Sequence, residues 1–225
     1  MHLKRYSIPT YWKMAKKEKK FAITPRPGPH KKSECIPLLV IVRDILKLCA
    51  TSEEGKKIIK RGEILVDKKV RRDPNYPVGL MDVVEIPKIN KYYRVLVDEH
   101  GLVLEEIKAE DAEKKLCRIQ NKRKVKKGLI QLNLHDGRNI LTDKNDYNTH
   151  DSVLIELPTQ KILNHFKFEK DAHAIIFSGR NIGVKGKIKE IYQRKSMQES
   201  SRVVIQTKNG EIETVKDYVF VGDFK

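Results

Sequence analysis

The feature that most constrains how this chain can fold is its excess of positive charge. Among 225 residues, 47 Lys and Arg stand against 30 Asp and Glu, which gives a formal net charge of +17 at pH 7. Repulsion of this size weakens a compact state unless a polyanion neutralises it. We favour nucleic acid over an anionic membrane as that polyanion, because the longest apolar run, near Ile36 to Val42, ends at Arg43 and Asp44 and is too short to span a bilayer.

The cysteine and histidine patterns indicate neither a disulfide framework nor a metal site. Cys35, Cys49 and Cys117 are odd in number and far apart, no CxxC pair occurs, and the seven histidines form no HExxH pattern. The start, MHLKR, leads into polar sequence instead of the apolar segment of a signal peptide. We therefore expect a reducing, cytosolic compartment, no metal and no cofactor.

Residues 1–36 are interpreted as a basic N-terminal arm. The prolines of PRPGPH favour an extended path, and Trp12, Tyr6 and Tyr11 are interleaved with the charge. Disordered tails are poor in aromatic residues, so we expect a segment that folds on binding, with a solvated tail as the alternative. The candidate RNA-binding residues of the arm are Lys4, Arg5, Trp12, Lys16, Lys17, Lys19, Lys20 and Arg26.

Residues 37–90 are predicted to form a small α+β module with a basic face. Leu38, Ile41, Val42, Ile45 and Cys49 recur at helical spacing, and a capping box of Thr51 and Glu54 begins a second helix that ends at Gly62. Ile58 and Ile59 fall on the side of that helix opposite its cations, which favours a binding patch over an ordinary solvated face. Its cations and those of the following hairpin are Lys56, Lys57, Lys60, Arg61, Lys68, Lys69, Arg71 and Arg72.

Residues 91–167 are predicted to form a central, mainly β domain, and residues 168–225 a small barrel of short strands. The central domain has strand patterns in YYRVLV, LVLEEI, LIQLNL, NILT and DSVLIELP, and AEDAEKK is a short helical candidate. Residues 114–127 hold many cations and no acid, among them the candidate RNA-binding residues Lys122, Arg123 and Lys124, whereas residues 105–113 are rich in acids. In the last segment, Asn209 and Gly210 predict a hairpin turn.

The motifs that could carry chemistry do not support catalysis. FSGRNIGVKGKIK differs from a phosphate-binding loop, because six residues separate Gly179 from Gly186 and Ile188 follows Lys187 where Ser or Thr is needed. Asp136 in LHDGRN is better explained by a tight turn of Asp and Gly than by a catalytic acid. No enzyme is predicted.

Several segments, taken in order, resemble one known family along nearly the whole chain. They are HLKRYSIPTYWKMAKK, PRPGPH, PLLVIVRDIL, RGEILVDKKVRRDPNYPVGLMDVVEI, LHDGRN, DSVLIELP, FSGRNIGVKGKI and YVFVGDF. The chain is identified as a member of the archaeal and eukaryotic "four-e" family of small-subunit ribosomal proteins. Because it ends soon after YVFVG, it resembles the shorter, archaeal members.

The resemblance implies an α+β, multi-domain fold of three modules that follow the arm. These are an RNA-binding module like that of the bacterial ribosomal protein four, a central mainly β domain, and a C-terminal SH3-like (KOW) barrel. It places the RNA face of the first module on Arg43, Lys56, Lys57, Lys60, Arg61, Lys69, Arg71 and Arg72, and the KOW element on Gly179, Arg180, Asn181, Gly183, Gly186 and Lys187. In that element we expect glycine to let the backbone approach a partner closely. Lys68, His150 and Ser178 stand where the family pattern has Gly.

The expected function is that of a structural constituent of the small ribosomal subunit, which binds ribosomal RNA and supports assembly and translation in the cytoplasm. Expected partners are small-subunit ribosomal RNA and neighbouring ribosomal proteins, with no membrane, small-molecule substrate or homo-oligomer. One alternative is an RNA-modifying enzyme, since the same module accompanies pseudouridine synthases, although these need a larger catalytic domain. The other is a transcription or translation factor whose KOW barrel binds protein.

Overall fold

The computed structural model describes residues 3–12, 14–125, 128–194, 196, 199–207 and 210–224. Lys13, Lys126 and Lys127 of the basic segments, and Asn209 of the expected hairpin turn, lie outside the described residues. The chain packs as two compact units. The first holds Met1–Leu96, Gly101–Lys115 and Glu156–Thr159, and the second holds Val97–His100, Leu116–Ile155 and Gln160–Lys225. The four-part division expected from the sequence stays a prediction.

The first unit contains the two helices expected from the sequence, but the first is not a regular α-helix. Helix α1, Leu38–Val40, continues as a π-helical turn, Ile41–Ile45. Helix α2, Ser52–Lys60, has the expected capping box: Thr51 Oγ1 accepts a hydrogen bond from Glu54 N, and Glu54 Oε2 accepts one from Thr51 N. Because the capping box depends only on neighbouring residues, sequence reasoning finds it.

A five-stranded antiparallel sheet lies in this unit, and two strands expected in the central domain, YYRVLV and LVLEEI, pair here with strands of the α+β module. Its strand order is β5-β4-β7-β8-β9, and a separate pair joins β3 to β6. The bounds are β3 Cys35–Pro37, β4 Leu65–Val66, β5 Lys69–Val70, β6 Pro77–Gly79, β7 Val83–Ile86, β8 Lys91–Asp98 and β9 Gly101–Ile107. Strand β5 ends at Val70, so Arg71 and Arg72 follow it. Leu39, Ile59 and Val84 are buried in the core of this unit.

The N-terminal segment is packed into the first unit, in contrast to the free arm expected from its composition. Strands β1, Leu3–Lys4, and β2, Phe21–Ala22, pair with each other, and Ile8 is buried. Trp12 is only 2% exposed, and its Nε1 donates to the carbonyl oxygen of Cys35 at 2.9 Å. Removing an aromatic ring of this size from water stabilises the folded protein. Trp12 therefore stabilises the fold of this segment.

The second unit contains two five-stranded sheets. One has the order β12-β11-β10-β13-β14, from β10 Lys114–Lys124, β11 Ile130–Leu134, β12 Asn139–Thr142, β13 Ser152–Glu156 and β14 Ile162–Phe166. The other has the order β18-β17-β16-β15-β19, from β15 His173–Ile176, β16 Lys185–Tyr192, β17 Arg202–Thr207, β18 Gly210–Val215 and β19 Val219–Val221. Apolar side chains of this second sheet, such as Ile188, Val203 and Val219, form one buried cluster.

The expected strands of the second unit are confirmed, with one addition there and one difference in the first unit. Strand β14 was not expected, because ILNHF lacks a clear alternation of apolar and polar residues. The expected short helix in AEDAEKK is wrong: only Asp111–Glu113 forms a 3-10 turn, and the next two lysines begin β10. The β10 backbone pairs within a sheet, and this long-range pairing overrides the local helical propensity.

Candidate nucleic-acid interface

Helix α2 presents cations on the face opposite its buried side. Gly55 and Ile59 are buried against the module, whereas Lys57, Lys60 and Arg61 are exposed. Among the residues that the structure describes, these three cations have no ion-pair partner, while Lys56 is paired with Glu53 at 2.9 Å. The sequence prediction of a basic face on this helix is therefore supported by three uncommitted charges.

The hairpin of β4 and β5 adds cations beside the end of α2. Its two-residue turn has positive φ at both Asp67 (52°) and Lys68 (62°), as in a type I′ turn. Arg72 lies against the end of α2, with Nε 3.4 Å from the position that a Cβ on Gly62 would occupy. Like the helix cations, Lys69 and Arg72 are exposed and have no ion-pair partner within the described ranges. Five uncommitted cations thus lie on one module, namely Lys57, Lys60, Arg61, Lys69 and Arg72.

Other expected RNA-binding cations of the first unit are engaged within the protein. Lys68 pairs with Glu85 at 3.1 Å, and Arg43 pairs with Asp44 at 2.7 Å. Arg26 pairs with Asp73, and the guanidinium of Arg71 lies 4.3 Å from the centre of the Tyr76 ring. These contacts fix loops of the module, so these residues contribute less to a binding surface than exposed, uncommitted cations do.

Two side chains of the N-terminal segment that were expected to bind RNA are buried. Arg5 is 2% exposed, and it donates to the carbonyl oxygen of Ala15 at 2.6 Å and to Glu18 at 3.1 Å. Trp12 is equally buried, so its ring has no face on which a base could stack. We correct both assignments to structural roles. Tyr6, which is 75% exposed, is the candidate aromatic residue of this segment whose ring is open to stacking, and Phe21 is 48% exposed. Among the candidate cations of the segment, Lys4, Lys17, Lys19, Lys20 and Arg26 are exposed, and Lys16 is half-buried.

A buried polar cluster lies in the centre of the first unit, and sequence reasoning missed it. Lys115 is fully buried, and its Nζ lies 2.7 Å from Asp67 and 2.6 Å from Asp82. His30 Nε2 lies 3.0 Å from the Asp82 carboxylate. Burial alone would raise the pKa of Asp82, but the charges and hydrogen bonds of His30 and Lys115 outweigh it and hold that pKa well below its usual range.

This cluster changes the interpretation of the basic segment at residues 114–127. Lys115 is inside the first unit, and Arg118 is buried in the second, where it donates to the carbonyl oxygen of Asp217 at 2.6 Å. Lys122 donates to the carbonyl oxygens of Asn145 and Tyr147. Among the candidate residues of this segment, only Arg123 and Lys124 are exposed and uncommitted within the part of the chain that the structure describes.

The glycine-rich element of the C-terminal segment folds against its own chain. Arg180 and Lys187 are exposed. Gly183 has φ +84°, and a Cβ there would lie 2.3 Å from the carbonyl carbon of Asp98. The expected close approach is therefore made to the turn between β8 and β9, which packs in the same unit, and we correct the expectation that this glycine serves an external partner.

One group of side chains has the composition of a metal site. Cys117, His135 and Asp136 offer ligand atoms within 4.8 Å of one another. Each already has a partner in the protein: Cys117 donates to Asp136 at 3.7 Å, His135 Nδ1 accepts from Arg118 N, and Asp136 pairs with Arg138 at 3.1 Å. These contacts hold the LHDGRN turn, where Gly137 has φ +75°, and so confirm the interpretation of Asp136 as a turn residue.

Three protein families match the chain in consecutive ranges. They are the RS4NT (NUC023) domain at residues 1–33, the S4 domain at residues 36–84, and "Ribosomal family S4e" at residues 89–162. The small ribosomal subunit protein eS4 of Methanothermobacter thermautotrophicus is 46% identical over 221 residues, which cover 98% of this chain and 91% of that protein. The chain belongs to ribosomal family S4e.

Other S4e proteins agree with this assignment. The eS4 protein of Archaeoglobus fulgidus is also 46% identical over 221 residues, covering 98% of this chain and 92% of its own length. The crystal structure of the 30S ribosomal protein S4e from Thermoplasma acidophilum superposes with a TM-score of 0.72 at 31% identity, over 84% of this chain and 94% of that chain. The resemblance inferred from sequence motifs is confirmed, and the family is one of ribosomal proteins, not of enzymes.

The S4 domain match coincides with the module that carries the five uncommitted cations. The expected S4 module is confirmed, within an architecture that is mostly β, whereas the KOW barrel stays an expectation for the C-terminal sheet. None of the helices in the described ranges is both long and apolar enough to cross a membrane.

Proposed function

We propose that this S4e-family chain is a structural constituent of the small ribosomal subunit and binds folded ribosomal RNA without catalysis. The observation that carries the proposal is the set of five exposed, uncommitted cations on the S4 module. Lysine and arginine on a rigid face bind RNA phosphates and release condensed counterions, which gives affinity that depends strongly on salt. Structured RNA hides its base edges in a deep groove, so contacts of this kind recognise shape and backbone position.

The second unit has exposed cations of its own. Arg123 and Lys124 end strand β10, and Arg180 lies in the glycine-rich loop before β16. We further propose that residues 168–225 form a KOW-type, SH3-like barrel. The order of the five C-terminal strands and their shared buried cluster support this assignment. Ribosomal RNA in the cytoplasmic ribosome is the main partner, and the acidic residues 105–113 suit contact with basic neighbouring ribosomal proteins.

The test is a titration of the Lys60→Ala/Arg61→Ala double variant with a small-subunit ribosomal RNA transcript at several salt concentrations. Removing two phosphate contacts should weaken binding and reduce the slope of log affinity against log salt by about two units. Lys108→Ala is the matched control, because Lys108 is an exposed lysine outside the proposed surface. Equal slopes for the double variant and the wild type would contradict the assignment to the S4 module.

A second measurement addresses the ribosomal role itself. The untagged protein should co-sediment with small subunits in one copy per particle after a wash at high salt. A translation factor would leave the particle at moderate salt. Release under those conditions would contradict a structural role.

A further inference from the structure

A cleft of about 590 Å³ lies in the first unit, between the N-terminal segment and the end of the π-helical turn. Arg5, Glu18 and Lys19 line one side, and Arg43, Lys47 and Leu48 line the other. Its volume is within the range of small-ligand sites, about 300–1,000 Å³. The cleft therefore has room for a ligand the size of one nucleotide.

Two of the three acidic side chains that line this cleft are paired with arginines. Glu18 pairs with Arg5 at 3.1 Å, and Asp44 pairs with Arg43 at 2.7 Å. Glu54 accepts hydrogen bonds from the backbone N–H groups of Ala50 and Thr51 as part of the helix cap. Of the three carboxylates that line the cleft, only Glu54 keeps its charge without a basic side-chain partner in the described residues.

Two cations of the cleft remain uncommitted. Lys19 and Lys47 are exposed, and neither has an ion-pair or hydrogen-bond partner in the parts of the chain that the structure describes. Lys47 has φ 52°, a conformation that is costly for a residue with a Cβ. It lies two residues after the last residue of the π-helical turn, a local distortion that is frequent at functional sites. The backbone of Lys47 is thus held in an unfavourable conformation, and the side chain of the same residue carries an uncommitted positive charge.

An apolar strip lies beside these two lysines. Leu48, Cys49 and Ala50 line the cleft, and Leu48 is 38% exposed. The buried Arg5 fixes the loop that carries Lys19, since its Nε donates to Ala15 and its backbone N donates to the carbonyl oxygen of Lys20. Two uncommitted cations and an apolar wall in one cleft suit a ligand with an anionic end and a flat, weakly polar body.

We propose that this cleft binds one unpaired nucleotide of the RNA that the protein holds, with its phosphate at Lys19 and Lys47 and its base against Leu48 and Ala50. This inference rests on the proposed function and adds to it a site for single-stranded RNA. Unpaired bases can be splayed out and packed against a protein surface, which paired bases in a helix cannot.

Cys49 provides a reporter inside the cleft. It is half-buried, whereas Cys35 and Cys117 are buried. Burial raises the pKa of both the Cys35 and the Cys49 thiol, that of Cys35 to about 12, so the less buried Cys49 is the more reactive of the two. Alkylation by N-ethylmaleimide at mildly alkaline pH, followed by mass spectrometry of the Cys49 peptide, therefore measures whether the cleft is occupied.

The probes are decauridylate, a blunt RNA duplex without unpaired residues, and uridine 5′-monophosphate. Decauridylate at about ten times its dissociation constant should slow alkylation of Cys49 about tenfold, because the bound fraction then dominates. The duplex should leave the rate nearly unchanged. Equal protection by the duplex would overturn the proposal, and protection by the mononucleotide as strong as that by decauridylate would overturn RNA as the source of the nucleotide.

Charge-removing variants test the two lysines. Lys19→Gln/Lys47→Asn should abolish the protection of Cys49 by decauridylate, and Asn is chosen at position 47 because it tolerates positive φ. In the Lys108→Gln control, decauridylate should protect Cys49 from alkylation as strongly as it does in the wild type. Failure of the proposed function would appear as loss of binding to ribosomal RNA by every form of the protein. Failure of the present inference would appear as intact binding of ribosomal RNA with equal alkylation of Cys49 in the bound and free protein.

Discussion

Lys115 Nζ lies 2.6 Å from Asp82 Oδ1, and both side chains are excluded from solvent. The same nitrogen lies 2.7 Å from Asp67, which belongs to the turn between β4 and β5. A lysine from strand β10 thus neutralises two carboxylates of the S4 module. Removing one partner of such a cluster leaves uncompensated buried charge, which costs far more than an exposed ion pair contributes.

We expect Lys115→Met to lower the free energy of unfolding by about 3–5 kcal/mol, because two carboxylates lose their counter-charge while the volume is kept. Urea denaturation followed by circular dichroism measures this change. The matched control is Lys114→Met, an exposed neighbour in the same strand, which should change stability by less than about 0.5 kcal/mol. A Lys115→Met protein as stable as the control would show that the cluster contributes nothing to folding.

Because the pKa of Asp82 is lowered in the folded protein, the free energy of unfolding should decrease at acidic pH. In the unfolded chain this carboxylate takes up a proton near its ordinary pKa of about 3.9, whereas in the folded protein it stays ionised to lower pH. The stabilising contribution is therefore complete at neutral pH and falls as the pH drops below about 4. Denaturation between pH 2 and pH 7, at steps of about one unit, should show a shallower pH dependence for Asp82→Asn than for the wild type. Asp146→Asn, at an exposed site, is the control; parallel curves for wild type and Asp82→Asn would disprove the assignment.

Gly183→Ala should destabilise the second unit by more than the cost of its positive φ. The added Cβ would lie 2.3 Å from the backbone of Asp98, so one of the two chain segments must move. Gly128→Ala separates the two effects, since Gly128 has φ +75° but no atom within 4 Å of an added Cβ. We expect about 1–2 kcal/mol for Gly128→Ala and a larger loss for Gly183→Ala in thermal unfolding. Similar losses for both would mean that the contact with the turn is unimportant.

Substitutions of Tyr6 and Trp12 should have different effects: one should change RNA affinity, and the other should change stability. Trp12→Ala removes a buried ring and should cost about 3–5 kcal/mol of stability. Tyr6→Ala should leave stability unchanged and lower the affinity for ribosomal RNA by about tenfold, since stacking of a base on an exposed ring contributes about 1–3 kcal/mol. Affinity is measured by filter binding and stability by urea denaturation. Unchanged affinity of Tyr6→Ala would remove this residue from the interface.

The parts of the fold that depend on neighbouring residues were predictable from the sequence. The capping box of Thr51 and Glu54 and the alternating strands of the C-terminal sheet are of this kind. The family pattern also indicated two positions with a left-handed backbone conformation. Lys68 and His150 stand where the pattern has Gly, and their φ values are 62° and 75°. A position that prefers Gly in relatives keeps its left-handed backbone here despite the substitution.

The contacts that sequence reasoning missed join residues far apart in the chain. Lys115 lies within a run of cations that is typical of a solvated or RNA-binding surface, and its partner Asp67 is 48 residues away. Trp12 lies in a basic, proline-containing segment whose composition resembles that of an arm, but the structure buries it. Composition describes what a segment can bind, whereas burial depends on which other segments it meets.

The position of Lys115 has a consequence for how the protein matures as it is synthesised. Chains are made from the N-terminus and generally fold domain by domain. Asp67 and Asp82 leave the ribosomal exit tunnel well before Lys115, and residues Glu156–Thr159 of the same unit emerge later still. The S4-like portion of the nascent chain therefore has to wait for the charge of Lys115, with only His30 already available to Asp82, until more than half of the protein has been translated.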